Sequence, residues 1–132
     1  ELPEEERNAL VRLYYFEPTE FTHQGASWIN GSKSWLGRKW TGTEQEKQAI
    51  SGDFARAQNW ARQQGRILYL GEFGTLNTID MDSRIRWTRF VIEQAGKYGM
   101  AWGYWDFCSV FGAYNAEKRA WEKPLLNALS GN

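Results

Sequence analysis

Three stretches of the chain are apolar at almost every position: residues 9–15 (ALVRLYY), 67–70 (ILYL) and 100–107 (MAWGYWDF). Strict alternation would mark strands with one wet face, whereas near-continuous apolar runs fit strands covered on both faces, as in a parallel sheet. Glu17-Pro18 ends the first run, Gly65 and Gly71 bound the second, and the third follows Gly99. Between the runs the period changes. Ile50, Phe54, Ala57 and Ala61 recur every three or four residues, the spacing of one helix face. Thr43 and Glu46 stand ahead of them at the Thr-x-x-Glu spacing of a capping box, in which each side chain satisfies the other's orphan backbone N–H. Gly65 suits the stop of this helix, and Gly52 inside it costs up to about 1 kcal/mol relative to alanine. A second helix is expected to start at Asp82 as its cap, with Ile85, Thr88, Ile92 and Ala95 on one face and Gly99 at its end. A third starts at Pro124, with Leu125, Leu126 and Leu129 facing inward.

The predicted order is therefore β-α-β-α-β-α. Crossovers between parallel strands are almost always right-handed, so this order makes one three-stranded parallel sheet of the α/β class. Three strands leave both sheet edges unpaired. At 132 residues the chain is long enough to bury a core but too short to close an eight-fold α/β barrel, which takes about 250 residues. It opens on Glu1 rather than Met, which leads us to expect a processed product or a piece of something longer. Residues 20–42, rich in Gly, Ser and Trp, exceed a simple connector, and loops of that length in a compact domain are usually functional or disordered.

Charge narrows the possible partners. Sixteen Lys and Arg balance sixteen Asp and Glu, and without a basic block there is no counterion-release drive towards nucleic acid and no pull towards an anionic membrane. No apolar run approaches the roughly 20 residues of a membrane-spanning helix. Neither nucleic acid nor membrane is expected as a partner. The lone cysteine, Cys108, excludes an intramolecular disulfide and a cysteine-based zinc site, and a buried, inert thiol is expected there. The lone histidine, His23, excludes a multi-histidine metal centre. No metal and no other cofactor is called for. Aromatic content is what composition adds: 8 Trp, 6 Tyr and 7 Phe. Ring faces suit the C–H-rich faces of pyranose sugars, and they also fill cores.

The candidate chemistry lies where the apolar runs end. Gly71-Glu72-Phe73-Gly74 directly follows the second run, and α/β barrels place their active sites at the C-terminal ends of parallel strands. Flanking glycines let substrate and neighbouring backbone approach. On spacing alone two readings of Glu72 stand, a catalytic carboxylate or one that caps a turn or pairs with a surface cation. Trp105, at the end of the third run, is either a stacking face or a buried indole. Asp106 is a second carboxylate or a turn cap, and His23 reads as a hydrogen-bonding loop residue.

Taken together, four ordered segments resemble glycoside hydrolase family 5, the cellulase-type enzymes. They are Glu20-Phe21-Thr22-His23-Gln24-Gly25-Ala26, Trp40-Thr41-Gly42-Thr43, Tyr69-Leu70-Gly71-Glu72-Phe73-Gly74 and Trp102-Gly103-Tyr104-Trp105-Asp106-Phe107. The resemblance implies a partial (β/α)8 TIM barrel, with residues 1–132 as its C-terminal portion (strands six to eight) and about three βα units. It implies the nucleophile of a retaining β-1,4-glucan hydrolase at Glu72 and a stacking platform at Trp105, with His23, Tyr14 and Tyr15 as substrate contacts. Where the family shows His-x-Tyr at the end of strand six, an ungapped match places Tyr14-Tyr15-Phe16, and a one-residue shift places Leu13 and Tyr15; in either register the histidine is missing. The family's acid/base glutamate follows strand four in an Asn-Glu-Pro motif, which this chain lacks.

The implied partners are a β-glucan or cello-oligosaccharide, together with the missing N-terminal barrel half or further copies of the chain. The implied location is secreted or periplasmic. Two other classes compete with an enzyme piece: a non-catalytic carbohydrate-binding module and a structural barrel fragment. Small binding modules are usually β-sandwiches, which the βα alternation disfavours. Turnover of soluble glucan separates the enzyme from both, and binding to insoluble cellulose separates the latter two.

Overall fold

The computed structural model describes residues 9–131. Its elements are β1 (Leu10–Tyr15), α1 (Thr19–Thr22), α2 (Glu44–Gln64), β2 (Ile67–Phe73), α3 (Met81–Lys97), β3 (Ala101–Tyr104), β4 (Tyr114–Asn115), β5 (Ala120–Trp121) and α4 (Lys123–Ser130), with a 3-10 turn at Ser32–Trp35. β1, β2 and β3 form one parallel sheet in that order. The α/β class and the parallel pairing are therefore as the apolar pattern predicts. The pattern does not announce the antiparallel β4–β5 hairpin or the two short helical pieces around residues 20–42. None of these is long enough to display a period.

α2 forms because its start is chemically marked. Thr43 Oγ1 accepts from the Glu46 backbone N–H at 3.3 Å, and the Thr43 N–H donates to Glu46 Oε2 at 2.7 Å. Both halves of the capping box are thus present. Burial by itself would raise the Glu46 carboxyl, but hydrogen bonds from Thr43 and Thr41 outweigh it and hold the group below the usual carboxylate range. Its folded pKa is depressed, so the stabilisation is present above the unfolded value and is lost as pH falls through the folded one. Gly65 ends the helix in the left-handed region, at φ 60°. Thr43→Ala is expected to destabilise the chain by about 1 kcal/mol, read as a lower urea midpoint, and to shrink the acid-dependent part of the loss. An unchanged midpoint would show the box to be idle.

α3 departs from expectation in two ways. Its cap is Asp80, whose Oδ1 accepts from the Ser83 N–H at 3.1 Å; Asp82 lies inside the first turn, where its charge still favours the positive helix end. The buried stripe is also rotated by about one residue. Arg84, Trp87, Thr88, Val91 and Ala95 are buried, while Ile85 and Ile92 are only half-buried. Trp87 is the centre of this layer: it is fully enclosed, packs against the rings of Tyr15, Phe21 and Phe73, and donates Nε1–H to the Glu17 carbonyl at 3.0 Å.

The helices cover one face of the sheet, burying Leu68, Leu70 and Phe73 of β2. The other face is bare. Leu10, Tyr14 and Ile67 are exposed by 63%, 59% and 67%, values that mark a surface built to be covered rather than wetted. β3 stops at Tyr104, short of the expected Phe107, and the chain turns out of the sheet at Asp106. Asp106 Oδ1 accepts the Ser109 N–H at 2.8 Å, so this carboxylate is a turn cap. The same turn carries Cys108 outward. Its thiol is exposed, contrary to expectation, because residue 108 follows the strand instead of lying within it.

Candidate active site

Glu72 reaches the bare face through a break in the strand's alternation. Leu68 and Leu70 point to the helices, so strict period-two alternation would send Glu72 the same way. One extra residue intervenes. Leu13 pairs with Leu70, but Tyr14 pairs with Glu72; on the other side Leu70 pairs with Trp102, and Phe73 with Tyr104. This β-bulge shifts the phase by one residue, so Phe73 takes the helix-facing place and Glu72 is released to the opposite side. There its carboxylate pairs with Arg12. The Arg12 guanidinium also lies over the Tyr14 ring, 4.9 Å from its centroid. Gly71 leaves room for this pairing, since a β-carbon there would meet the Arg12 side chain where it now lies.

Trp105 is seated directly against this segment. Its backbone N–H donates to the Phe73 carbonyl at 2.9 Å. A β-carbon on Gly74 would run into the Trp105 carbonyl oxygen, so the glycine admits the close approach. The indole is 44% exposed and, among the described residues, makes no ring–ring contact. Its side chain is free to present a face to a ligand, and its place is set by the backbone. The Trp105–Asp106 and Glu17–Pro18 peptide bonds are both cis.

The remaining expected contacts divide. Tyr14 shares the face of Glu72 and sits opposite it in register. Tyr15 does not. Its hydroxyl donates to Asp53 Oδ2 at 2.9 Å and its ring packs on Phe54 and Trp87, so it belongs to the helix layer and not to the face that carries Glu72. Strand alternation is the reason, because neighbouring residues face opposite ways. Burial first, then the Asp53 hydrogen bond, pushes the Tyr15 phenol far above its ordinary value, which keeps it a donor.

His23 stands among rings, edge-on to Phe16, Trp28 and Phe111. Its Nδ1 lies 2.8 Å from Thr22 Oγ1, which donates to the Phe16 carbonyl at 2.6 Å. Burial lowers the imidazole pKa, a pull partly opposed by the charge of Glu17. With one histidine in the chain, an NMR titration of its ring proton is unambiguous. The midpoint is expected below the ordinary 6.5, and a value at or above it would contradict this environment. The depressed pKa means His23 stabilises the fold above its unfolded value and withdraws that support as pH falls through the folded one.

Sequence reasoning missed Arg12 and Trp28. Arg12 lies inside an apolar run, yet its place two residues before Tyr14 on the same strand is a legible sign of a shared face. Trp28 is 58% exposed and reaches His23 across the long loop, which periodicity does not describe. Glu17 and Glu20 carry local duties: Glu17 accepts from the Thr19 N–H at 3.0 Å, and Glu20 pairs with Arg38 at 2.9 Å. Among the described residues no group of three or more His, Cys, Asp or Glu could hold a metal ion.

A parallel βα sheet with a carboxylate and an indole at its strand ends is the arrangement of one side of a (β/α)8 barrel. A sequence model described as cellulase (glycosyl hydrolase family 5) matches residues 1–110, and the chain belongs to that family. It is 30% identical over 124 residues to endoglucanase H of Acetivibrio thermocellus, covering 89% of this chain and 12% of that one. Endoglucanase B of Clostridium cellulovorans is 27% identical over 127 residues, 91% of this chain and 27% of its own. Among solved structures, the endoglucanase Cel5A of Thermotoga maritima superposes with a TM-score of 0.93 at 43% identity, over 98% of this chain and 41% of that one. The chain thus spans less than half the length of these relatives and forms part of a TIM barrel.

Proposed function

We propose that this chain carries the nucleophile half of a retaining β-1,4-glucan hydrolase, with residues 1–132 supplying strands six to eight of the barrel. The observation that supports this most is the bulge that turns Glu72 onto the bare sheet face, beside Trp105, in a family 5 chain. In this reading a Glu72 oxygen attacks the anomeric carbon while the glycosidic C–O bond breaks. The departing oxygen takes the bonding pair and a proton from a second carboxyl about 5–5.5 Å away. That same group then removes a proton from water, which displaces Glu72 and restores it. Trp105 stacks on the sugar at the cleavage point, and Tyr14 and His23 line its approach. One carboxyl cannot attack and donate at once, so the acid/base group belongs to barrel strands outside this chain. Those strands, from the N-terminal half or from further copies, would cover Leu10 and Ile67 and pair both open sheet edges. A polymeric glucan does not enter cells, which places the working protein outside the cell or in the periplasm.

A mechanism-based label tests this without the second carboxyl. 2,4-Dinitrophenyl 2-deoxy-2-fluoro-β-cellobioside has a leaving group that departs unprotonated, and the fluorine slows release of the glycosyl-enzyme ester. Intact-mass spectrometry of the folded chain should show one added fluorocellobiosyl group, and peptide mapping should locate it on Glu72. A folded chain left unlabelled, or labelled elsewhere, would overturn the assignment. Unactivated glucan is expected to turn over little, since positioned proton transfer alone contributes about 10²–10⁴-fold.

A further inference from the structure

Arg84 projects from the first turns of α3 into the interior, 1% exposed, and the charge it carries faces no carboxylate among its hydrogen-bond partners. Oxygen dipoles surround it instead. Nε–H donates to Thr75 Oγ1 at 3.1 Å. Nη2 lies 3.3 Å from the Thr75 carbonyl, 3.2 Å from that of Phe111, 3.5 Å from that of Gly112 and 3.4 Å from the Tyr104 hydroxyl. Two Nη2 protons are shared among four acceptors. Tyr104 closes the ring by donating its own hydroxyl to the Phe111 carbonyl at 3.0 Å. An unpaired guanidinium is expensive to bury unless its donors are satisfied, and a methionine or leucine would fill the volume at no such cost. The acceptors it gathers come from two places, Thr75, three residues after Glu72, and the 104–112 loop that bears Trp105.

We infer that Arg84 is a positioning residue of the candidate active site, tying the loop after β2 to the loop after β3 so that Trp105 is held at a fixed place relative to Glu72. The inference rests on the proposed roles of those two residues and deepens them. Trp105 needs such a device because its exposed indole has no ring packing to anchor it. Its backbone is fixed on one side by the Phe73 carbonyl and the bare Gly74, and Arg84 fixes the return of the same loop at Phe111 and Gly112. Lysine in place of Arg84 keeps the charge but loses the Nε–H that Thr75 Oγ1 accepts and the fixed planar fork that sets the two loops' spacing.

The test uses the 132-residue chain labelled with 5-fluorotryptophan, its Trp105 line in the 19F NMR spectrum assigned with Trp105→Phe. In Arg84→Lys the Trp105 line should shift and broaden or split, while the line of Trp60, carried on α2, holds. An Arg84 that merely stabilised the fold would leave the Trp105 line in place in the folded variant or move all lines together, and either result overturns the inference. If Arg84→Lys does not fold, Thr75→Val removes the Nε acceptor while keeping side-chain shape, and the same selective shift of Trp105 is required of it. Labelling by the fluorocellobioside gives the functional readout. Misplacement by about 1 Å costs on the order of 10²-fold, so the labelling rate of Arg84→Lys should fall by that order. Failure of the parental chain to label would sink the nucleophile assignment and leave the 19F result to decide this inference alone.

Discussion

Replacing Glu72 with glutamine is expected to cut release of 2,4-dinitrophenol from an aryl cellobioside by more than about 10³-fold, since removal of a catalytic nucleophile elsewhere costs up to about 10⁶ in kcat. The amide keeps the size of the side chain and its oxygen can still accept from Arg12, so the main loss is the negative charge that attacks. Stability should barely move. Arg12 and Glu72 form a partly exposed pair, with side chains 49% and 20% accessible, and such pairs contribute about 0–1 kcal/mol. Urea unfolding run beside the assay separates the two effects. A second variant, Glu72→Ala, opens space for a small anion, and added azide should then yield the α-glycosyl azide, the product of a single displacement. Near-parental release by folded Glu72→Gln, without azide, would remove Glu72 from the mechanism.

The second large effect is on the fold. Trp87→Ala is expected to destabilise the chain by about 3–5 kcal/mol, a large share of the 5–15 kcal/mol that a typical domain has. The truncation empties a fully buried site ringed by Tyr15, Phe21 and Phe73 and orphans the Glu17 carbonyl that the indole N–H satisfies. Trp87→Phe should recover part of the packing and none of the hydrogen bond. Thermal or urea denaturation measures both, and a loss below about 1 kcal/mol for the alanine variant would mean that the α3–sheet layer is held elsewhere.

The βα order was legible because it is periodic. Continuous apolar runs mark β1, β2 and β3, and the Thr43–Glu46 box marks the start of α2 at the observed residue. Local chemistry was less legible where two similar residues compete, as Asp80 and Asp82 do for the cap of α3. The rotated stripe of α3 has the same origin. Arginine at position 84 reads as a solvated residue on any hydropathy pattern, and only the oxygens of Thr75, Tyr104, Phe111 and Gly112, three of them distant in sequence, make its burial tolerable. Glu72 was singled out by motif and strand end and Tyr14 by the family match, and the structure places the two on one face. The bulge that puts them opposite each other has no signature beyond the glycine at 71, and the motif carries no strand phase, so it does not tell that Tyr14 and Tyr15 face opposite sides.

That extra residue in β2 also separates two kinds of selection. Upstream of it, Leu68 and Leu70 answer to the helices; downstream, the frame has slipped, and an acidic residue and Phe73 occupy sides that uninterrupted counting would have exchanged. Packing residues can therefore drift among apolar types without dragging the carboxylate along. Loss of the bulge is far less forgiving. Straightening the strand with every residue kept would swing Glu72 in among the leucines and turn Phe73 outward, whereas deleting Gly71 would remove the extra residue and leave Glu72 on the open face.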